Sequence, residues 1–359
     1  MPNTSMTMRN LHRRCIGDRD RNGYRDCIEN EVHMLQPRLK TLLLLSVSAI
    51  VGMTPPIETR ADGEIVLNNM GGEVTALDLA PALGQIAVGR GDGVVVLADA
   101  GTLELAAMLG RHEDGVLSVS FSADETQLAS TGLDETVRLW DVETRRQTTE
   151  LRGHTGGVWV ARFAPVPGII VSAGADATIR LWDIETQTET RRFTDHRALI
   201  RCLQFSPDGK LLASGDDSGL IIVREWQRDE PVITLDRHEG KARQLIFLPT
   251  GELVSSSSDG TVRLWDLESG QQIRKLQAHT IGRHGKVYAL AFNSDFTRFV
   301  TGSEDTTAKI WDASTWTLLG HYKGHTQRIS AAEFSAADAS FYTGSLDGTI
   351  RKWRVPATN

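Results

Sequence analysis

A stretch of about 42 residues recurs along the chain, and this repetition limits the possible folds more than any other feature of the sequence. One copy occupies residues 153–193. It contains four short apolar runs separated by Gly, Pro and Asp, a pattern typical of strands joined by tight turns. Each copy has an aspartate in its predicted third turn, and these aspartates are 41 to 46 residues apart: Asp92, Asp134, Asp176, Asp217, Asp259, Asp305 and Asp347.

Seven units of this length predict an all-β fold, a seven-bladed propeller of four-stranded blades over residues 62–359. The chain ends shortly after a strand predicted at Thr349–Val355, so the seventh unit has only three strands of its own. Gly63–Leu67 precedes the first unit and belongs to no other. We expect it to supply the missing strand, so that pairing of the N- and C-terminal strands closes the ring and removes an open edge.

Paired motifs in these units resemble those of the WD40-repeat family, over residues 64–355. The first unit is degenerate, because Gly71-Gly72 and Ala98-Asp99 lack both the His and the Trp. The resemblance implies a seven-bladed WD40-type β-propeller. The motifs of the other units are Gly110-Arg111-His112 with Trp140-Asp141, Gly153-His154 with Trp182-Asp183, Asp195-His196 with Val223-Arg224, Arg237-His238 with Trp265-Asp266, Ala278-His279 with Trp311-Asp312, and Gly324-His325 with Trp353-Arg354.

The first 61 residues differ from the repeats in composition. Residues 1–33 are polar and have no periodic apolar face, which predicts either disorder or an over-extended reading frame whose true start is Met34. Residues 34–61 begin with a basic stretch and an apolar run of roughly 10–14 residues, as a signal peptide does, and end in a linker. This run is shorter than the roughly 20 residues that span a bilayer.

Translation from Met34 predicts export to the periplasm or the extracellular space, with cleavage after Ala49 or after Ala61. The sequence is compatible with both cleavage sites. With another start, the protein is expected to be cytoplasmic or tethered to a membrane. Membrane contact is expected only through an uncleaved N-terminal anchor, and the propeller is expected to be a monomer.

Charge and cysteine content restrict the possible ligands. The formal net charge is −7, which argues against a broad nucleic-acid-binding surface. Cys202 aligns with Val160 at an inward-facing strand position, so we expect it to be buried. Cys15 and Cys27 lie near two histidines, but their spacing matches no standard zinc site. No metal and no cofactor is predicted.

Several units contain a hydroxyl residue, a histidine and an aspartate, the composition of a catalytic triad. A catalytic triad is normally a single constellation, so its repetition argues against catalysis. In the WD40 family such residues form a structural network in which His binds the turn Asp and Ser or Thr binds the strand Trp. The resemblance implies this role for His112, Ser130, Asp134, Trp140, His154, Ser172, Asp176, Trp182, His238, Ser255, Asp259, Trp265, His325, Thr343, Asp347 and Trp353.

The histidines are also poor metal ligands, because they recur on different blades and cannot converge on one ion. His279 and His284 lie close together in one loop, but no third or fourth ligand accompanies them. An insertion, Thr-Ile-Gly-Arg at residues 280–283, lengthens this loop beside Lys286 and Tyr288. Insertions concentrated on one face often mark the binding face.

In the WD40 family many partners dock around the channel mouth. This face presents the residues on either side of the first strand's opening aliphatic residue, and the residue before the turn aspartate. In this sequence the second and third units contribute the apolar Leu117, Leu133, Trp159 and Ala175, and the later units are basic. We assign Glu73, Asp216 and Glu304 as acidic residues of the same face. The residues predicted to bind a partner are Leu117, Trp159, Arg201, Lys241, Arg243, Lys286, Tyr288 and Arg328.

These observations predict a non-catalytic interaction scaffold that docks a protein or peptide, possibly acidic, at the channel mouth. Trp159 and Tyr288 are expected to anchor the partner, and the basic residues to steer it. The alternative is an exported propeller enzyme, a hydrolase or lyase with an active site at the channel mouth. The sequence shows no unrepeated cluster of acids or bases in support of that alternative. A purely structural module is a third possibility.

Overall fold

A computed structural model describes residues 57–59, 65–67, 70–228, 231–235, 237–280 and 285–356. All regular secondary structure in these residues is β-strand, and the strands form seven antiparallel sheets. No helix in this part of the chain is long and apolar enough to cross a membrane. Of the leader predicted over residues 1–61, residues 1–56, with Cys15 and Cys27, lie outside the described residues.

The first three blades each contain four consecutive strands, as the repeat predicts. Blade 1 consists of β3 (Val74–Ala80), β4 (Gln85–Arg90), β5 (Val94–Asp99) and β6 (Leu105–Arg111). Blade 2 consists of β7 (Val116–Phe121), β8 (Gln127–Gly132), β9 (Thr136–Asp141) and β10 (Arg146–Arg152). Blade 3 consists of β11 (Val158–Phe163), β12 (Ile169–Gly174), β13 (Ile179–Asp183) and β14 (Thr188–Phe193).

Blades 4 to 6 repeat this arrangement. Blade 4 consists of β15 (Ile200–Phe205), β16 (Leu211–Asp216), β17 (Ile221–Glu225) and β18 (Pro231–Leu235). Blade 5 consists of β19 (Ala242–Phe247), β20 (Leu253–Ser257), β21 (Thr261–Trp265) and β22 (Gln272–Gln277). Blade 6 consists of β23 (Val287–Phe292), β24 (Arg298–Ser303), β25 (Thr307–Asp312) and β26 (Leu318–Lys323). The first strand of each blade packs beside the first strand of the next, around a central channel.

The seventh blade is built from both ends of the chain. It contains β27 (Ile329–Phe334), β28 (Ser340–Ser345) and β29 (Ile350–Arg354), followed by β2 (Ile65–Leu67) and β1 (Ile57–Thr59). Strand β2 pairs antiparallel with β29, so the predicted closure by N- and C-terminal strands is confirmed. Strand β1 pairs with β2 and adds a fifth strand. The sheet therefore begins before residue 62, where the sequence places the start of the propeller.

The hydrophobic core lies between the blades, because each sheet packs both faces against neighbouring sheets. At the closing contact, Leu67 and Ile350 of blade 7 pack in one cluster with Val74 and Ile86 of blade 1. In the same contact, the Tyr342 hydroxyl donates a hydrogen bond of 2.6 Å to the Ala100 carbonyl. The first and last blades thus share a core like that between blades 1 and 2. This packing closes the seven blades into a ring.

A buried hydrogen-bonded chain fixes the strands within blade 3. The Asp176 carboxylate can only accept, so His154 donates to it through Nδ1 at 2.9 Å. A bond of 2.7 Å then joins His154 Nε2 to Ser172 Oγ, which also accepts the Trp182 Nε1–H at 2.8 Å. Asp176 further accepts the backbone N–H of Thr178 and so holds the turn. The chain links β12, β13 and the loop before β11 through groups that burial would otherwise leave unsatisfied.

The same chain of bonds recurs in blades 2, 5 and 7, and in blade 6 with Thr301. The histidine–aspartate distances are 2.8 to 3.0 Å for His112–Asp134, His238–Asp259, His279–Asp305 and His325–Asp347. The hydroxyl groups that accept from Trp140, Trp265, Trp311 and Trp353 belong to Ser130, Ser255, Thr301 and Thr343. Ser130, Ser172, Ser255 and Thr343 are fully buried, so no substrate can reach these hydroxyls.

Blade 4 departs from this pattern, and one assignment from the sequence is wrong. His196 Nδ1 bonds to Asp216 at 2.7 Å, not to Asp217, which the count of turn aspartates selects. The motif Val223-Arg224 is also out of register: Arg224 pairs with Leu212 as Trp182 pairs with Ile170. Arg224 therefore occupies the Trp position. It is fully buried, 4.1 Å from the Phe193 ring centroid, and forms an ion pair with Asp195.

Removing strands β1 and β2 should destabilise the whole ring. Truncation of residues 1–68 deletes Val66 and Leu67, which are 1% and 0% exposed, and uncovers the edge of β29. Each such side chain contributes about 1.5–3 kcal/mol, so we expect a loss of about 3–6 kcal/mol in the free energy of unfolding. Chemical denaturation measures this loss, and truncation of residues 1–56, which keeps both strands, is the control. Equal stability of the two truncated proteins would contradict the closure mechanism.

Candidate functional site

The innermost strands of all seven blades surround a cavity of about 360 Å³ at the channel. Six of the residues predicted to bind a partner line it: Leu117, Trp159, Arg201, Arg243, Tyr288 and Arg328. The other two, Lys241 and Lys286, each precede the first residue of an innermost strand. Residues from six different units are thereby brought to one opening. His284 and residues 281–283 of the predicted insertion lie outside the described residues.

A recurring backbone hydrogen bond defines the mouth position in each blade and corrects the fourth. In blade 3, Ala175 donates its N–H to the Gly157 carbonyl at 2.9 Å. In blade 4 the equivalent bond runs from Asp217 to Leu199, also at 2.9 Å. Asp217, not Asp216, is therefore the acidic residue of the mouth. Asp216 is 1% exposed and bound to His196.

The aromatic residues of the mouth are covered by arginines. The guanidinium Cζ of Arg201 lies 4.1 Å from the Trp159 ring centroid, so one face of this half-buried ring is occupied. Tyr288 has two such neighbours, Arg243 and Arg328, each 4.2 Å from its ring centroid. Blades 5 and 7 flank blade 6, so the two arginines reach the ring from the blades on either side of its own. The two guanidinium groups therefore already occupy part of the Tyr288 ring surface on which a partner could stack.

Two carboxylates form ion pairs with three of the five cations at the mouth. Asp217 accepts from both Arg201 and Lys241. Lys286 Nζ lies 3.0 Å from Glu304 Oε2. Arg201 and Lys241 thus share one carboxylate, and the five cations retain an excess of positive charge. Such uncompensated charge attracts anions to the opening.

The apolar side of the mouth consists of leucines that pack over a glycine. A Cβ placed on Gly157 would lie 3.0 Å from Leu133 Cδ2 and 3.6 Å from Leu117 Cδ1. Leu133 is 44% exposed, a high value for a leucine. Glycine at position 157 therefore lets the two leucines pack close together at the mouth, and Trp159 follows two residues later on β11.

The channel also holds charged residues that the sequence reasoning missed. Asp78, Arg162 and Glu333 line the cavity, and they stand in three different units, four residues after the opening aliphatic residue of the innermost strand. Burial raises the pKa of Asp78 to about 6, although the Phe121 N–H and Arg162 act in the opposite direction. Burial and the Asp78 charge raise the pKa of Glu333 to about 8. The sequence therefore does contain an unrepeated acidic cluster, contrary to the prediction.

A comparison of residues within one unit does not reveal this cluster, because its three members stand in different units. Aligning the fourth residue after each opening aliphatic residue across units would have found it. The aligned residues are Asp78, Ser120, Arg162, Gln204, Ile246, Ala291 and Glu333. Two carboxylates and one guanidinium among neutral residues form an unusual set for one layer of a channel.

Metal and thiol chemistry find little support in the described part of the chain. Over residues 57–356, apart from the gaps in the description, no group of three or more His, Cys, Asp or Glu could hold a metal ion. Cys202 is 3% exposed, as predicted, and packs between blades 4 and 5. Burial raises the pKa of its thiol to about 12, so the reactive thiolate form is strongly disfavoured.

Comparisons with known proteins place these features in a family. The protein-family model described as "IFT122 first beta-propeller" matches residues 73–280, more than half of the chain. The model described as "WD domain, G-beta repeat" matches residues 270–312 and 316–354. Together the two matches extend from blade 1 to the end of blade 7.

Several characterised proteins match part of the chain. Apoptotic protease-activating factor 1 of Rattus norvegicus is 36% identical over 27% of this chain and 7% of its own length. Denticleless protein homolog B of Xenopus laevis is 35% identical over 26% of this chain and 14% of its own. Serine-threonine kinase receptor-associated protein of Dictyostelium discoideum is 31% identical over 26% of this chain and 43% of its own.

Each match covers less than half of the relative's own length. They indicate shared repeats and do not transfer an activity or a partner. The family assignment rests on the family model that matches more than half of the chain, and on the seven closed blades. The chain belongs to the WD40-repeat family of β-propellers.

Proposed function

We propose that this protein is a non-catalytic interaction module that docks an acidic peptide or protein segment over the channel mouth. The observation that carries this proposal is the excess of positive charge there: five cations face three carboxylates, those of Glu73, Asp217 and Glu304, on a chain whose net charge is −7. An acidic segment would compensate this excess and be steered to the opening. WD40 propellers typically bind proteins, which supports the same function.

The apolar side of the mouth provides the proposed anchor. Trp159 has one face against Arg201 and lies beside the surface formed by Leu117 and Leu133. A side chain of the partner that packs on this surface would bury apolar area where Trp is already held in place. Partly buried Trp and Arg side chains are typical of the residues that dominate interface energies. Tyr288 would contribute through its edge and hydroxyl rather than through stacking.

Charge reversal at the mouth should abolish binding of acidic peptides. A displayed library of short peptides is first selected on the wild-type protein, and we expect enrichment of Asp and Glu. Arg201→Glu, Lys241→Glu and Arg243→Glu together should then weaken the selected peptides at least about tenfold, because a cationic surface becomes anionic. Fluorescence anisotropy of labelled peptides measures this change.

The control carries the same change of charge away from the mouth. Arg146→Glu, Arg192→Glu and Lys210→Glu replace exposed residues on outer strands and a turn. This variant should bind the selected peptides as the wild type does. Equal affinity of the mouth variant and the control variant would reject the mouth as the docking surface.

One observation favours a second function, a hydrolase with its site in the channel. Asp78 and Glu333 line one cavity and both have raised pKa values, as general acids commonly do. Their burial beside Arg162 also suits a structural role. We expect a screen of chromogenic ester, phosphoester and glycoside substrates to show no turnover. Turnover that Asp78→Asn and Glu333→Gln each abolish, with Ser172→Ala still active, would instead establish an enzyme.

We also propose export, with translation from Met34 and a signal peptide within residues 34–61. The basic start and the short apolar run support it. Strand β1 favours the earlier cleavage site, because cleavage after Ala61 would remove Ile57–Thr59 from the seventh blade. N-terminal sequencing of the mature protein should therefore begin at Ile50. A mature protein that begins at Met1 or Pro2 would reject export.

A further inference from the structure

Arg243 and Arg328 differ from the other cations of the mouth. Within the described residues neither forms an ion pair with a carboxylate, whereas Asp217 and Glu304 bind Arg201, Lys241 and Lys286. Arg243 Nε donates to the neutral Ser258 hydroxyl at 2.7 Å. Arg328 Nε is buried and has no hydrogen-bond partner in the described part of the chain. Buried donors without partners are rare, because each costs about 1–3 kcal/mol.

The two guanidinium groups are held in a fixed relation by Tyr288. Each Cζ atom lies 4.2 Å from the centroid of this ring, so the two Cζ atoms are at most about 8.4 Å apart. Both arginines line the central cavity. A ligand above the edge of the ring could therefore contact both guanidinium groups at once.

The local electrostatics are unfavourable without a ligand. Burial, followed by repulsion from Arg201 and Arg328, lowers the pKa of Arg243 to about 10, and the charge of Asp217 offsets only part of this effect. The acidic residues deeper in the channel do not relieve it, because the charged neighbour that lowers the pKa of Asp78 and Glu333 is Arg162. A bound anion would supply the missing compensation.

We propose that Arg243 and Arg328, on the blades on either side of that of Tyr288, form a site for a phosphomonoester dianion carried by the docked segment. This inference rests on the proposed docking function and specifies the anion. Two guanidinium groups that form no ion pair within the described residues match a charge of −2, whereas a carboxylate would neutralise only one. A phosphoryl group presents three oxygens and can accept charge-assisted hydrogen bonds from both arginines. A planar carboxylate offers two oxygens and suits one guanidinium.

The test compares three peptides that differ at one central residue: phosphoserine, glutamate and serine. Isothermal titration calorimetry against the full chain should give the phosphoserine peptide at least about tenfold higher affinity than the glutamate peptide. Arg243→Gln with Arg328→Gln should reduce the affinity for phosphoserine to that for glutamate. The control, Arg146→Gln with Arg192→Gln, should leave all affinities unchanged, and thermal melting verifies that each variant is folded.

Inorganic phosphate distinguishes the anion site from the docking surface. We expect its ³¹P NMR signal to shift with the wild type and the control variant, and not with the Arg243→Gln, Arg328→Gln variant. A shift that persists in that variant would overturn the site. Equal affinity for the glutamate and phosphoserine peptides would overturn the preference for phosphate. That result would leave the docking function to be decided by the affinity of the selected acidic peptides. Binding of phosphate without any binding of selected peptides would reject docking and retain the anion site.

Discussion

Every blade of this propeller has two apolar faces, and the rest of the structure depends on covering both. An isolated four-stranded sheet would expose one or both faces to water, and an open stack would expose its two ends. In the ring, Leu67 and Ile350 of the last blade meet Val74 and Ile86 of the first, so the stack has no uncovered end. This requirement explains why the repeat is regular at core positions. For the same reason, sequence differences between blades are more easily accommodated at residues that face the channel.

The hydrogen-bonded chains within the blades place a second limit on function. They bind the histidines and hydroxyl groups of five blades to buried partners, so these residues are unavailable for chemistry despite their composition. Blade 4 shows how far the arrangement can change, because Arg224 replaces the tryptophan and Asp216 replaces the turn aspartate. Residues with freedom to differ are those at the mouth and within the channel. Trp159, Tyr288, Asp78 and Glu333 are all of this kind.

The fold was predictable from the sequence because the repeat, its paired motifs and the spare strand at Gly63–Leu67 all follow from spacing alone. In the fourth unit the spacing selected the wrong turn aspartate. Asp216 and Asp217 are adjacent, and the residue 42 positions after Asp176 is Ser218, so spacing alone does not fix the register there. Which residues lie at the mouth could likewise be predicted from their positions within each repeat unit. The stacking of Arg201 on Trp159, and of two arginines on Tyr288, could not, because it depends on side-chain rotamers that cross from blade to blade.

The pairing of Val66 with Arg351 joins the beginning of the propeller to its end. A chain that emerges from the ribosome N-terminus first therefore carries strand β2 without its partner β29 until almost all other strands have been made. Contacts so distant in sequence form late, because the intervening chain must be ordered before they become favourable. Blades 1 to 6 can assemble in sequence from neighbouring strands, whereas blade 7 is completed last. The ring is thus closed by its final folding event, and until then the sheet of blade 7 is incomplete and its edge is open to other chains.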